Sequence, residues 1–165
     1  MINQAKQIFE SIRDIPYRLP EFMGDEAPQC AYKSYRLIKE LLSIGYQCRA
    51  KIAEMDWSQT RFPLDIISLY PSDILPTHMY VEIFENNVRR PLDASWDIGL
   101  AQAGFPIAEF NGTNSPGLPL VRVFTLAEQE EYLEGWNDQA RIADYFERAI
   151  PFHKAVNEWL ALVRK

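Results

Sequence analysis

Apolar residues recur every three or four positions over residues 3–15, at Ile8, Phe9, Ile12 and Ile15, which predicts a short amphipathic helix. Pro16 and Pro20 then force an extended passage, and residues 21–29, with Gly24 and Pro28, read as a loop. A second helix is predicted from Pro28 to Ser43, with Tyr35, Ile38, Leu41 and Leu42 as its apolar stripe and Gly45 as its cap. Residues 46–53 switch to a period of two, Tyr46, Cys48, Ala50 and Ile52 against Gln47, Arg49 and Lys51, as in a half-buried strand. Residues 56–76 are variable, with one short strand expected at Asp65–Leu69. Residues 78–84 and 88–95 form a hairpin around Asn86-Asn87. Residues 97–119 hold four glycines and three prolines and read as a long loop or lid. Thr125 with Glu128 is a capping box opening a helix to about Ile150; Pro151 is expected to break it before a last helix carrying Val156, Trp159, Leu160 and Val163. Helices, then strands, then helices favour an α+β domain over a doubly wound sheet.

The hairpin has a further consequence. A two-residue turn pairs Glu85 with Val88 and Val81 with Leu92, a sensible core face. On the other face His78 lies opposite Ser95 and diagonal to Asp93, about 7–8 Å apart at the backbone and bridgeable by side chains. A slip of one residue would separate the two by the thickness of the ribbon. Pro91 has no N–H for a ladder, so its N–H side must face outward or sit at an irregularity.

The chain has 165 residues, 47% hydrophobic and 24% charged, so one ordinary globular domain spanning 1–165 is expected. A net charge of -6 argues against broad binding to nucleic acid or to an anionic membrane. No stretch is apolar enough to span a bilayer, and the first ten residues do not read as an export signal. Cytoplasmic localisation is therefore expected, with Cys30 and Cys48 as free thiols.

Cys30 opens a predicted helix, where unpaired N–H groups favour a thiolate and can stabilise an oxyanion. His78 is placed to take its proton and Asp93 to orient His78. The plain alternatives are a buried structural thiol at Cys30 and a surface strand histidine at His78. Cys48 reads as core and His153 as a solvated side chain at a helix start. Asp97 competes with Asp93 for the carboxylate role, Glu82 reads as structural, and Trp136, Phe146 and Trp159 read as helix packing. The Arg and Lys residues read as solvated surface.

Four stretches resemble the transglutaminase-like superfamily, which has a papain-like core. Gln29-Cys30 is similar to its Gln-Cys; Leu41-Leu42, Gly45-Tyr46 and Arg49 follow its continuation into the first strand. His78-Met79-Tyr80-Val81-Glu82-Ile83 resembles His-Ala-Trp-Val-Glu-Val, and Leu92-Asp93-Ala94-Ser95-Trp96-Asp97 resembles Leu-Asp-Ala-Thr-Trp-Asp. Pro28, Ala31 and Met79 depart from the pattern. The resemblance implies a nucleophile helix packed on a small antiparallel sheet, a catalytic core over 28–97 and C-terminal helices over 125–165. It also implies a Cys30–His78–Asp93 triad, with Gln29, Trp57 and Trp96 as oxyanion or substrate contacts and the Cys30 backbone N–H ranked first as oxyanion donor. The implied reaction is acyl transfer or hydrolysis at a peptide or protein amide, with an amine as the second acceptor in the transfer case and no cofactor or metal. The rivals are a protein-binding scaffold of the same fold and an acyl-CoA-to-arylamine transferase with a similar triad.

Overall fold

A computed structural model describes residues 2–85, 87–110 and 119–164. The N-terminal periodicity folds as α1 (Ile2–Arg13), which buries Ala5, Phe9 and Ile12. Helix α2 (Cys30–Ser43) starts two residues later than predicted, because Gln29 takes the N-cap and its side chain accepts the Ala31 N–H. Pro28 thus lies just outside the helix. The far end closes as expected: Gly45 has φ +87, its N–H reaches the Leu42 carbonyl, and the Tyr46 N–H reaches Leu41. These are the two bonds of a Schellman cap.

The inner face of α2 differs from the predicted stripe. Leu37 and Leu41 are buried with Lys33 and Ser34, whereas Tyr35 and Leu42 are about half exposed. The two polar residues are tolerated because each finds backbone partners. Lys33 Nζ donates to the carbonyls of Arg13 and Ser95, each at 2.9 Å, and Ser34 Oγ donates to that of Met79. Arg13 and Lys51 are buried too, so the basic residues are not uniformly solvated.

Strands β1 (Gln47–Met55), β2 (Thr77–Glu85), β3 (Val88–Leu92) and β4 (Leu120–Val123) form one antiparallel sheet in the order β3-β2-β1-β4. The β2–β3 register is the predicted one, Glu85 with Val88 and Val81 with Leu92. Asn87 sits at φ 62, a left-handed turn conformation that asparagine accepts readily. Pro91 lies on an edge strand, where its missing donor costs least. Strand β4 was not anticipated, since four residues with two exposed valines leave almost no alternation to read.

Residues 65–69 are not a strand. Leu64–Ile67 form a single helical turn, α3, with Pro63 at its cap and Asp65 in its first turn, where the helix dipole favours an acid. Within the predicted loop, residues Ile98–Ala103 form a 3₁₀ helix, while residues 111–118 lie outside the described residues.

The C-terminal helices also divide differently. The Thr125–Glu128 capping box opens α4, which ends at Gly135. Helix α5 then runs unbroken from Gln139 to Val163 through Pro151. Asp138 marks the real boundary, since its carboxylate caps the Ala140 and Arg141 N–H groups. Pro151 survives inside because Ala149, Phe152, Val156 and Leu160 bury one face of that helix around it. Pro151 itself is exposed and removes one helical hydrogen bond. Pro151→Ala should therefore stabilise the fold by about 1–2 kcal/mol, raising Tm in a thermal melt by several degrees.

Two main cores result. One joins α1 and α2 to the sheet through Phe9, Ile12, Leu37, Leu41, Val81 and Leu92. The other gathers Trp57, Phe62, Trp96, Phe105, Phe152 and Leu160 from the loops and α5. Among the described residues, no helix is long and apolar enough to cross a membrane.

Candidate functional site

Cys30 is the first residue of α2, a half-buried free thiol at the helix start. Its Sγ lies 3.2 Å from Gln29 Oε1, the same oxygen that caps the helix. The Gln29 carbonyl oxygen is thus committed, and its NH₂ is the end left to meet a ligand. Cys48, the other free thiol, packs beside the α1–α2 core with its Sγ 3.7 Å from the Ile38 carbonyl.

His78 and Asp93 meet as the hairpin register requires. His78 Nε2 is 2.7 Å from Asp93 Oδ2, with both side chains almost fully buried. The other Asp93 oxygen accepts the Ser95 N–H at 3.0 Å and its hydroxyl at 2.5 Å. A carboxylate only accepts hydrogen bonds, so Nε2 carries a proton in either charge state of the ring. In the neutral ring Nδ1 then holds a lone pair. Nδ1 is buried and makes no hydrogen bond among the described residues.

Cys30, His78 and Gln29 line one cavity of about 670 Å³. Trp57 lines it as well, and its indole N–H is buried without a hydrogen-bond partner among the described residues. Trp96 does not join them. It is 3% exposed and sits in the core against Tyr17 and Phe105. Asp97 is buried apart from the histidine, accepting the Tyr17 N–H and pairing with Arg164. Glu82 pairs with Arg49. Among the described residues, no three His, Cys, Asp or Glu side chains gather as a metal site.

The sequence reading missed several residues here. Tyr17 has its backbone held from both sides, by Asp97 at the N–H and Arg164 at the carbonyl, and its ring lines the cavity. His153, expected in solvent, is 2% exposed. Trp136 and Phe146, expected to serve helix packing, form part of the cavity wall. The position of α4 and α5 over the thiol depends on long-range packing, for which no local pattern exists.

Burial resists charge on His78, but the Asp93 carboxylate, its hydrogen bond and the Cys30 side chain together outweigh that cost. The pKa is pushed up to about 10. Burial pulls Lys33 the other way, down to about 8, against the attraction of Asp97 and Asp93. These two shifts contribute opposing slopes to the pH dependence of stability. Unfolded histidine releases its proton near pH 6.5, so the His78 contribution is whole below that point and is lost as pH rises to about 10. Lys33 releases its proton at about 8 when folded but near 10.5 when unfolded, so its effect rises with pH across that interval. Urea-unfolding free energy should therefore fall by about 1.4 kcal/mol per unit from pH 6.5 to 8, then level off towards 10. His78→Ala should abolish the fall.

Compared with known proteins, the chain matches no family model, no curated protein and no solved structure.

Proposed function

We propose that the protein is a cysteine-dependent amide hydrolase or acyltransferase, with Cys30 as nucleophile, His78 as acid and base, and Asp93 as the orienting carboxylate. The observation that carries this reading is the buried His78–Asp93 pair, whose bond through Nε2 leaves Nδ1 for a thiol lining the same cavity. A histidine serving only as core would be expected to have both ring nitrogens engaged. The transglutaminase-like resemblance is part of the same proposal, with the nucleophile helix and antiparallel sheet standing as a papain-like core.

In the reaction, the Cys30 sulfur attacks the amide carbonyl as a thiolate beside the His78 imidazolium, which its raised pKa keeps charged near pH 7, and a C–S bond forms. The oxyanion is met by the Cys30 backbone N–H, which has no partner within its helix, and by the Gln29 NH₂ or the Trp57 indole N–H. The C–N bond breaks as the His78 imidazolium returns its proton to the leaving nitrogen. Water, or an amine in the transfer case, then cleaves the thioester with His78 as base.

Mass spectrometry after brief iodoacetamide treatment tests the reading. Cys30 should be carbamidomethylated at least about tenfold faster than Cys48 near pH 7, since a catalytic thiol is activated where a packed one is inert. Equal, slow labelling would sink the nucleophile and favour a non-catalytic scaffold.

A further inference from the structure

The cavity beside Cys30 is walled mostly by rings that come from outside the triad's own elements. Trp57 follows β1, Tyr70 follows α3, Tyr132 and Trp136 come from α4 and its end, and Tyr145 from α5. They brace one another, Trp57 and Tyr70 tilted with centroids 6.0 Å apart, and Tyr132–Trp136 and Trp136–Tyr145 edge to face at 6.1 Å and 5.1 Å. Apart from His78, the charged side chains of the wall among the described residues are Asp73, Arg141, Asp144 and Arg148, and Arg148 pairs with both acids. An extended polypeptide is recognised by main-chain partners along its length, and this wall of side-chain rings offers few. A volume of about 670 Å³ suits a compact ligand.

One polar group in the wall has a fixed polarity. His153 Nδ1 is 2.6 Å from the Pro20 carbonyl, so that nitrogen carries the proton and Nε2 accepts. The Tyr145 hydroxyl, 3.1 Å from Nε2, must then be the donor. Burial holds the His153 pKa low and keeps the ring neutral. With its only proton spent on His153, the Tyr145 oxygen can offer a ligand nothing but lone pairs, and so selects an N–H.

We propose that this cavity binds a compact amide with an aromatic acyl group and an N–H on its nitrogen, in preference to the side chains of a polypeptide. Turnover of such a ligand rests on the Cys30 reading above; its binding does not. In turnover the acyl carbon passes from nitrogen to sulfur, the nitrogen leaves as an amine with the His78 proton, and water releases the carboxylic acid.

Two measurements separate the two claims. Wild-type protein is assayed with the p-nitroanilides of phenylacetic and acetic acid and with a glutamine-containing tetrapeptide, and Cys30→Ala is titrated with phenylacetamide by calorimetry. The phenylacetyl substrate should exceed the acetyl one about tenfold or more in kcat/KM, with the tetrapeptide inert, and Trp136→Ala should bring the ratio towards one. Cys30→Ala should bind phenylacetamide saturably. Tyr145→Phe placed on Cys30→Ala should weaken that binding severalfold while leaving methyl phenylacetate, which lacks the N–H, unaffected. Binding to Cys30→Ala without wild-type turnover would uphold the pocket and overturn the nucleophile. Equal phenylacetyl and acetyl rates, or preference for the tetrapeptide, would overturn the pocket and uphold the nucleophile. Neither binding nor turnover would overturn both.

Discussion

His78→Ala should cut amide turnover by about 10²–10⁴-fold and slow carbamidomethylation of Cys30, while Cys48 labels at its old rate. On the proposed mechanism the alanine removes the imidazole that balances the thiolate, and Cys48 lies in a different part of the fold. Asp93→Asn makes a sharper variant, because its shape barely changes. The asparagine NH₂ would donate to Nε2, moving the ring proton to Nδ1, which would then present a donor to the sulfur. Turnover should fall by about 10³-fold or more while the melting curve moves far less than the rate. An Asp93→Asn protein of undiminished activity would remove the carboxylate from the mechanism.

Lys33→Ala should cost about 3 kcal/mol, seen as a lower urea midpoint and a Tm reduced by about 10 °C. The ammonium joins the last residue of α1 to the segment just past Asp93, by way of the Arg13 and Ser95 carbonyls. Removing it strands both carbonyls in the interior and leaves a hole beside the turn that orients Asp93. Lys33→Met, which refills the volume but restores no donor, should recover only part of the loss. A midpoint unchanged in both variants would show that the buried ammonium contributes no net stability.

What the sequence disclosed follows the range of the interactions involved. The α2 terminus, the hairpin register and the α4 capping box depend on residues within a few positions of one another. Gly45, Asn86-Asn87 and Thr125–Glu128 therefore announced them, and the His78–Asp93 contact came with the register. Pro151 misled for the opposite reason: a local helix breaker was outweighed by Phe152, Val156 and Leu160 packing into a distant core. Lys33 looked solvated because its carbonyl partners lie 20 and 62 residues away. His153 was misplaced likewise, its proton held by a carbonyl 133 positions earlier. Cys30 and His78 were legible one by one; the chamber around them was not.

The division of labour between these parts has a consequence for how such a protein diversifies. The proposed reactive groups sit on α2 and the hairpin, whereas most of the surrounding rings belong to the segment after β1 and to the two C-terminal helices. Exchanges at Trp136 or Tyr145 would retune which molecules are admitted without disturbing the proton relay. Under the proposed function, choice of substrate and reactivity would thus lie on separable parts of the fold.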